Sequence, residues 1–448
     1  MGSTRRHFLQ TTTAAGLGIP ALAAGADDKS TSANDHVQIA LIGAGGMGSG
    51  DVETALKVQG VKLVAVSDVY DGRRERAKEQ WGSDLFTTRD YQEVLARPGV
   101  DAVIIGTSDH WHAQIAIDAM KAGKDVYVEK PMVQKVEDGH RMIETQKATG
   151  RIVQVGSQYY ESMLYAKARQ LLKEGAIGQL NLVEAWWDRN SAQGAWEYSI
   201  DPNASPQNID WNRFLGPAPK HEFDPVRLFR WRNYQDYGTG IPGDLFVHLF
   251  TSLHYVIGCA GPVKVFGTGG LRFWKDGRDV PDVVIGLYDY PASDSLPPFN
   301  LRLRVNFVNG SGDTSGFRFV GSEGILSIGR GLTLTRTPRE VEPGYTIETF
   351  PQAVQEAFKK QYEKEYPPEK MAALGGRPDT VDTYYAPHSD DAHLSHHRDF
   401  IRSVRTRKAL YEDTTTGLRA AGPALATNMS YFEQRAILWD PQTMTVKG

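Results

Sequence analysis

The sequence contains little cysteine, no excess of positive charge and no long apolar run. Cys259 is the one cysteine in 448 residues, which excludes an intramolecular disulfide framework and a cysteine-rich zinc site. The formal net charge is -4 and no run of lysine and arginine stands out, so we expect no nucleic-acid partner. No apolar stretch has the length needed to span a bilayer. The length itself exceeds what one hydrophobic core usually supports and predicts two domains.

A pair of arginines near the start, Arg5 and Arg6, precedes Phe8-Leu9 and a stretch of small residues from 11 to 24. That stretch contains two small-x-small cleavage patterns. The segment resembles a twin-arginine export signal, although a disordered basic tail is the alternative. We therefore expect residues 1–34 to be a signal and linker, the export machinery to be a partner, and the mature protein to be periplasmic or otherwise extracytoplasmic.

Beyond residue 34, short apolar runs alternate with helical patterns. The run Val37–Ile42 has the length of a strand, leads into a glycine-rich stretch and is followed by a helical pattern. Strands that alternate with helices indicate a parallel sheet. The further strand candidates are 61–66, 101–106, 125–131 and 152–155, and a helix is predicted over 115–122. We predict an α/β fold in which residues 35–156 form a Rossmann domain.

The stretch from Gly43 to Gly48 matches the G-x-G-x-x-G pattern of dinucleotide-binding loops. In such loops the first glycine allows a tight turn, the second lets the backbone approach a pyrophosphate, and the third lets the helix pack on the strand. The helix N-terminus adds free N–H groups and a partial positive charge. The motif alone is weak evidence, but here it lies between a predicted strand and a predicted helix. We therefore predict cofactor contacts from Gly43, Gly45, Gly46, Met47 and Gly48.

An acid at the end of the second predicted strand points to the class of dinucleotide. Asp68 lies about twenty residues beyond the glycine loop, where a carboxylate binds the ribose hydroxyls. A carboxylate there repels a 2′-phosphate, so NAD is favoured over NADP, although Arg73 and Arg74 keep NADP open. Asp68 could instead cap the next helix, but Asp71 is available for that task. We predict that Asp68 and Arg73 contact the cofactor.

Several motifs beyond the glycine loop resemble one protein family. Glu129-Lys130-Pro131 follows a core strand, and the turn from Thr107 to His112 has the order Thr-x-x-His-x-His. With the glycine loop, they resemble the Gfo/Idh/MocA family, named after glucose–fructose oxidoreductase, inositol dehydrogenase and rhizopine catabolism. The resemblance covers nearly the whole chain after residue 34. Segments that also resemble the family are 156–159, 174–178, 319–324, 397–400 and 405–408.

The resemblance implies a second, α+β domain over residues 157–448, built on a large, mostly antiparallel open sheet. One side of that sheet carries the substrate pocket and the other often forms an oligomer interface, so we expect a homo-oligomer. Strand candidates at 263–266, 283–287 and 301–307 agree with this. The motif residues lie at or near strand ends, where parallel sheets bind ligands. The cofactor contacts that they add are Thr107, His110, His112, Glu129, Lys130 and Gln158.

Oxidation of a secondary alcohol with NAD needs a base for the hydroxyl proton and a group that holds the alcohol oxygen. The family motif makes Lys130 the candidate for the second task, because its ammonium stabilises developing negative charge. Asp244 and His248 have i,i+4 spacing, which places them on one face of a helix. We predict that His248 is the base and that Asp244 orients it and raises its basicity. The alternatives are a surface Lys130–Glu129 pair and an ordinary helix pair; the family's usual glycine inside the acid–histidine pair is missing.

Two groups of histidines raise the question of a metal. His254 follows Asp244 and His248, but the spacing does not place all three on one helix face. The other group opens a predicted helix in a polar stretch, where we expect surface histidines, and comprises His388, His393, His396 and His397. We therefore predict no metal.

Aromatic residues are frequent at the start of the second domain. Aromatic faces suit the C–H surfaces of sugars and arginines suit hydroxyls or carboxylates, with core packing as the alternative for about half of the aromatics. The candidates are Trp186, Trp187, Trp196, Tyr198, Arg230, Trp231, Arg232, Tyr234 and Tyr237. The substrate contacts that we predict are Tyr159, Trp187, Arg230, Trp231 and Arg232. The polar segment 351–388, with a helical pattern at 354–366, resembles an insertion and suggests no function.

These features together predict an exported NAD(P)-dependent oxidoreductase that moves hydride from a secondary hydroxyl of a sugar or polyol to a tightly held nicotinamide cofactor. Twin-arginine export is known for moving folded proteins, so the cofactor could travel with the enzyme. The alternative is a redox-neutral NAD-dependent glycoside hydrolase or lyase, as in some relatives of the resembled family, which oxidises, eliminates, adds water and reduces. Free NAD is scarce outside the cytoplasm, which favours this redox-neutral enzyme because it regenerates its own cofactor. A sugar-binding protein without activity is the third alternative, against which Lys130, Asp244 and His248 argue.

Overall fold

The structure is a computed structural model that describes residues 36–293, 295–337, 345–367, 369–370 and 379–447. The predicted export signal and linker lie outside these residues. None of the helices in the described ranges combines the length and the apolar character needed to cross a membrane.

The first domain is built on a parallel sheet with the order β3-β2-β1-β4-β5-β6. Its strands carry almost continuous apolar runs because helices cover both faces of the sheet. The order reverses between β1 and β4, which places a crevice beyond their carboxyl ends. The strands are β1 (Val37–Ile42), β2 (Val61–Ser67), β3 (Phe86–Thr88), β4 (Ala102–Ile105), β5 (Asp125–Glu129) and β6 (Val153–Gly156). The predicted Rossmann sheet is therefore confirmed, with β3 as a short strand that the apolar pattern did not reveal.

The helices of this domain follow the strands in alternation. They are α1 (Gly46–Ala55), α2 (Asp71–Trp81), α3 (Tyr91–Ala96), α4 (Asp109–Lys121) and α5 (Val136–Thr149). The predicted start of α4 at residue 115 is wrong, because the helix begins two turns earlier, after Ser108. Its first turns are polar but buried against the second domain, so the apolar periodicity did not extend to them. His110 and His112 consequently lie on a helix rather than in a turn.

The second domain contains a sheet with the order β14-β13-β12-β11-β7-β10-β9-β8-β15-β16. Strand β10 runs parallel to β7, and the other pairings among the described strands are antiparallel. The strands are β7 (Leu180–Asp188), β8 (Lys264–Gly270), β9 (Val283–Tyr290), β10 (Phe299–Asn306), β11 (Thr314–Gly321), β12 (Gly324–Ile328), β13 (Leu332–Arg336), β14 (Thr380–Tyr384), β15 (Ile437–Asp440) and β16 (Thr445–Val446). The large, mostly antiparallel sheet expected from the family resemblance is confirmed.

One face of this sheet is covered and the other is open. In β10 the apolar residues Phe299, Leu301 and Leu303 are buried, whereas Asn300 and Arg302 point outwards. This alternation is typical of an antiparallel sheet with one solvated face. The helices of the domain are α6 (Met163–Lys173), α7 (Trp211–Leu215), α8 (Pro225–Phe229), α9 (Val247–Ile257), α10 (Gln352–Glu365), α11 (Ala392–Thr406) and α12 (Thr414–Glu433).

Two late segments of the chain take different places in the fold. Helix α11 packs onto the first sheet, where Phe400 and Ile401 join a core that contains Ile39 and Leu41. Residues distant in sequence therefore complete the first domain. In the segment 351–388, α10 is exposed along its length, and β14 extends the second sheet beside β13.

A substitution at Gly48 tests how closely α1 packs on β1. A Cβ atom at this position would overlap the carbonyl oxygen of Gly43, which is backbone and cannot turn away. We expect Gly48→Ala to lower the free energy of unfolding by about 1–3 kcal/mol, as overpacking does. Gly50→Ala on the same helix meets nothing within 4 Å and should instead be neutral or stabilise by up to about 1 kcal/mol. Urea unfolding of both variants measures the contrast, and equal stabilities would contradict the packing argument.

Candidate active site

A cavity of about 900 Å³ opens beyond the carboxyl ends of the first sheet and is closed by the second domain. Residues of both domains line it, as expected for a ligand site at the reversal of strand order. The predicted residues that line it are Gly43, Gly45, Gly46, Met47, Asp68, Arg73, Thr107, His112, Glu129, Lys130, Gln158, Tyr159, Trp187, Trp231, Arg232, Asp244 and His248. Gly48, His110 and Arg230 are not among its lining residues.

The glycine loop forms one wall of this cavity. Gly43 has a φ of 90°, and a Cβ atom there would lie 2.7 Å from the backbone of Gly106 and Thr107. Only glycine fits both the left-handed conformation and this close approach. Gly46 begins α1, so the free N–H groups of the helix face the cavity. The loop thus has the shape and polarity of a pyrophosphate cradle.

Asp68 is buried behind the loop and orders it. One carboxylate oxygen accepts a hydrogen bond from the Ala44 N–H at 2.8 Å, and the other accepts from the Tyr70 N–H at 2.9 Å. The Arg73 guanidinium lies 3.6 Å from the first of these oxygens. Because a carboxylate has about four acceptor positions, two remain for hydroxyl donors on the cavity side.

Of the two histidines of the Thr-x-x-His-x-His motif, both predicted to contact the cofactor, only His112 lines the cavity. His110 faces away from the cavity, and its Nε2 lies 2.9 Å from the carbonyl oxygen of Phe214. His112 lies between the carbonyl oxygens of Pro131 and Thr107, at 2.8 and 3.1 Å. Burial lowers the pKa of both imidazoles to about 4, so both are neutral. His110 therefore joins α4 to the second domain, and His112 holds the segment that follows Lys130.

Lys130 and Asp244 form the central contact of the cavity. The Lys130 ammonium donates to both the Oδ1 atom and the backbone oxygen of Asp244, each at 2.9 Å. The Arg232 Nε donates to the same Oδ1 at 3.2 Å. Burial alone would raise the pKa of Asp244, but the charges of Lys130, Arg232 and Arg189 outweigh burial and hold this pKa well below its usual range. Asp244 is therefore an ionised carboxylate shared by two cations.

The expected pairing of Asp244 with His248 is not observed. Asp244 lies in a π-helical turn, Pro242–Phe246, that precedes α9, and its side chain faces Lys130. The hydrogen bonds of the described residues include none between Asp244 and His248, and the His248 Nδ1 is buried without a partner. The i,i+4 spacing indicated proximity, but two cations from other elements compete for the carboxylate more strongly than a neutral imidazole.

His248 is enclosed by aromatic rings instead. The rings of Tyr159 and Trp187 lie 5.1 and 5.3 Å from the imidazole, measured between centroids. Burial lowers the pKa of His248 well below 6.5, and the Lys130 charge lowers it further, against the opposing effect of Asp244. His248 is therefore neutral at physiological pH, with one ring nitrogen unprotonated.

A buried polar network supports Lys130 from behind. Glu129 accepts a hydrogen bond from the Gln158 amide at 2.9 Å, and the same amide donates to the Tyr127 hydroxyl at 2.9 Å. Burial raises the pKa of Glu129 well above its ordinary value, and the charge of Asp51 adds to this effect. The network fixes the end of β5 and with it the base of the Lys130 side chain.

Asp109 and Arg189 are two of the charged residues that line the cavity and are missing from the sequence-based set. Asp109 accepts two hydrogen bonds from Thr239, and burial raises its pKa to about 7. Arg189 follows β7 and donates to the Gly194 carbonyl at 2.9 Å, with no carboxylate partner among the described residues. The position of Asp109 after a core strand could have identified it. The approach of Arg189 depends on how the two domains pack, which no local pattern indicates.

The aromatic candidates divide into cavity and core residues. Trp187, Tyr198 and Trp231 line the cavity, whereas Trp196 and Tyr237 are fully buried in apolar clusters. The predicted substrate contact Arg230 is directed elsewhere, because its guanidinium pairs with Glu197 and donates to the Tyr198 carbonyl. Arg232 stacks on Trp231 with 4.2 Å between the guanidinium carbon and the ring centroid.

The histidines considered for a metal lie outside the cavity, apart from His248. The Nε2 of His254 lies 3.0 Å from the Tyr290 hydroxyl, and the residue does not line the cavity. His396 and His397 do lie at the start of a helix, but the expectation that they are surface residues is wrong, because both are fully buried. Their burial follows from the packing of α11 onto the first domain.

The shared carboxylate of Asp244 supports a test of stability. Asp244→Asn removes the charge that separates Lys130 from Arg232, and we expect the free energy of unfolding at neutral pH to fall by about 3 kcal/mol. The pKa of Asp244 is lower in the folded state than in the unfolded state. The contribution of the Asp244 charge to the free energy of unfolding is therefore complete above about pH 4 and is lost as the pH falls further.

Urea titrations of both proteins across acidic and neutral pH measure this difference, which should shrink at the acidic end. Asp382→Asn is the control, since it removes a surface pair with Arg336 and should change stability by less than about 1 kcal/mol. A difference that grows on acidification would contradict the argument.

Comparisons with known proteins agree with this architecture. Residues 37–157 match the model of an oxidoreductase family with an NAD-binding Rossmann fold, and residues 188–266 match the model of the C-terminal alpha/beta domain of that family.

Curated relatives include two inositol dehydrogenases. The chain is 36% identical over 145 residues to scyllo-inositol 2-dehydrogenase (NAD(+)) of Bacillus subtilis, which is 32% of this chain and 42% of that protein. It is 32% identical over 149 residues to inositol 2-dehydrogenase of Gluconacetobacter diazotrophicus, which is 33% of this chain and 44% of that protein. The match spans less than half the length of these relatives.

Solved structures share the fold over most of the chain. Levoglucosan dehydrogenase in complex with NADH has a TM-score of 0.63 and 17% identity, covering 90% of this chain and 99% of that chain. GenD2 from gentamicin A biosynthesis, in complex with NAD, has a TM-score of 0.64 and 15% identity, covering 93% of this chain and 100% of that chain. The matched models therefore make the Rossmann domain and part of the second domain similar to the Gfo/Idh/MocA oxidoreductase family, and the solved structures share the fold.

Proposed function

We propose that this protein is an NAD-dependent dehydrogenase that oxidises a secondary hydroxyl of a sugar or polyol. The observation that carries the proposal is the meeting of a lysine ammonium and a neutral histidine in the cavity that the glycine loop borders. Relatives named as inositol dehydrogenases and a fold neighbour named levoglucosan dehydrogenase point to the same class of substrate.

The described residues fit a dinucleotide. The glycine loop would hold the pyrophosphate, because Gly43 leaves no room for a Cβ atom and α1 offers free N–H groups. The Asp68 carboxylate would accept the ribose hydroxyls and repel a 2′-phosphate, which favours NAD over NADP. Thr107 has a buried hydroxyl without a protein partner, which a ligand would satisfy. When bound, the nicotinamide supplies the hydride acceptor.

The protein's own groups handle the oxygen and the proton. The Lys130 ammonium would hold the substrate oxygen and stabilise negative charge on it during oxidation. Asp244 would orient Lys130 through its two hydrogen bonds to the ammonium. His248 would accept the hydroxyl proton, since burial keeps its imidazole neutral. Tyr159 and Trp187 would keep water from the imidazole and pack against the substrate's C–H surface.

We also propose that the protein is exported and forms a homo-oligomer. The twin arginines at residues 5 and 6 support export to the periplasm or another extracytoplasmic space, with NAD held tightly and carried along. The open face of the second sheet exposes Phe266 and Leu287, which supports a homo-oligomer formed through that face. A tightly held cofactor outside the cytoplasm also suits the redox-neutral cleavage of glycosides, which is the second candidate function.

Two substitutions test the assigned roles. We expect Lys130→Met and His248→Gln each to lower kcat by about 100-fold or more, since charge stabilisation or proton transfer is lost. NAD affinity, measured by fluorescence or calorimetry, should change little, because the glycine loop and Asp68 remain. Lys135→Met and His388→Gln, at exposed positions, serve as matched controls with normal rates.

The assay follows NADH and aglycone release with inositols, free sugars and aryl glycosides. NADH accumulation with a free sugar or polyol supports the dehydrogenase. Aglycone release without net NADH would replace it with the redox-neutral glycosidase. Full turnover by both active-site variants would show that the assigned roles are wrong.

The position of Arg189 in the cavity, without a carboxylate partner among the described residues, predicts a preference for acidic sugars. Lys130, Arg189 and Arg232 line the cavity, and Asp244 is the carboxylate that two of them share. A substrate carboxylate could bind Arg189 bidentately. We expect a hexuronate to have a kcat/KM about tenfold or more above that of the matching hexose, and Arg189→Gln to abolish this ratio. An unchanged ratio in the variant would contradict the role of Arg189 and leave the dehydrogenase proposal untouched.

A further inference from the structure

A second cluster of potential ligands lies behind the glycine loop, outside the cavity. Asp51 on α1 is fully buried, and its Oδ1 lies 2.9 Å from the Nε2 of His393 and 3.3 Å from the Nε2 of His397. The three ligand atoms all lie within 4.8 Å of one another. His393 and His397 have i,i+4 spacing on α11, so both rings extend from one face of the helix.

The negative charge of the Asp51 carboxylate has no lysine or arginine partner among the described residues. The Asp51 Oδ2 is buried without a hydrogen bond. Glu129 is a second buried acid close enough for Asp51 to raise its pKa. A buried carboxylate is costly unless it is paired or coordinates a metal. The histidines must therefore supply positive charge, or a cation must do so.

The hydrogen bonds around His393 indicate which ring nitrogen carries the proton. The Thr54 hydroxyl donates its one hydrogen to the Gly50 carbonyl at 2.9 Å, so towards the His393 Nδ1, at 3.4 Å, it acts as an acceptor. The proton of a neutral His393 ring then sits on Nδ1. The lone pair of Nε2 consequently faces the Asp51 carboxylate, which is repulsive unless a proton or a cation lies between them.

We propose that Asp51, His393 and His397 bind a divalent zinc ion. Two imidazoles and one carboxylate are ligands that zinc takes, whereas calcium and magnesium prefer oxygen ligands throughout. A hydrogen bond from the far ring nitrogen to an oxygen acceptor orients a histidine ligand, and for His393 the Thr54 hydroxyl is that acceptor. His393 is partly exposed, which leaves a route for the ion and a position for a water ligand.

The ion would connect α11 to α1, the helix that begins at the glycine loop. The His397 ring stacks on Tyr127 with 4.6 Å between centroids, and the Tyr127 hydroxyl accepts a hydrogen bond from Gln158. Gln158 also donates to Glu129, next to Lys130. The site would therefore be structural, stabilising the wall behind the cofactor cavity, and its existence does not depend on the proposed reaction.

The test measures metal content and thermal stability in the purified full-length chain. We expect about one zinc per chain by elemental analysis in the wild type and in His388→Gln, whose histidine is exposed and outside the cluster. Asp51→Asn and His393→Gln should lose it. A chelator should lower Tm in the wild type but not in the two cluster variants, because only a bound ion stabilises the fold by mass action.

A spectroscopic readout keeps the test independent of variant folding. Cobalt(II) added to chelator-treated wild type should produce the visible absorption of a four-coordinate ion with nitrogen and oxygen ligands, and zinc should abolish it. No zinc in the wild type, together with no cobalt spectrum and no shift in Tm, would show that Asp51 is held by a protonated histidine instead. Equal zinc in His393→Gln would place the ion elsewhere and also overturn the proposal.

Discussion

The Asp244 carboxylate, shared by Lys130 and Arg232, is the interaction on which the site depends. Lys130 follows strand β5 of the first domain, whereas Asp244 and Arg232 lie in short helical turns of the second. The contact therefore exists only when the two domains are packed together. It sets the position of the ammonium in the cavity, and it withdraws the carboxylate from His248. The Lys130 charge also adds to the effect of burial in lowering the pKa of His248.

Hydrogen-bonded side chains surround the Lys130–Asp244 pair. The hydrogen bonds of Gln158 to Glu129 and Tyr127 support the lysine from behind, while His112 holds the segment that follows it. The rings of Tyr159 and Trp187 pack against the imidazole of His248. A buried polar network of this kind is rigid, and a rigid first layer of side chains is what an oriented reaction requires.

Much of the first domain could be predicted because its signals are local. β1 was predicted with its observed bounds, since a buried parallel strand is a continuous apolar run. Asp68 was placed correctly at the end of β2, next to the glycine loop. The start of α4 was missed because its polar first turns are buried by another domain. His110 was misplaced for the same reason, and α11 joins the first core although some 240 residues separate it from β6.

By itself, the sequence determined the glycine loop, the alternating strands and helices, and the residue types available for chemistry. These depend on backbone sterics and on periodicities of a few residues, which are written in neighbouring positions. The tertiary structure alone decided that Asp244 pairs with Lys130 rather than His248, that Arg189 reaches the cavity, and that Asp51 meets two histidines of α11. Each of these contacts joins residues far apart in the chain, and competition among buried charges selects the partner after the chain has folded.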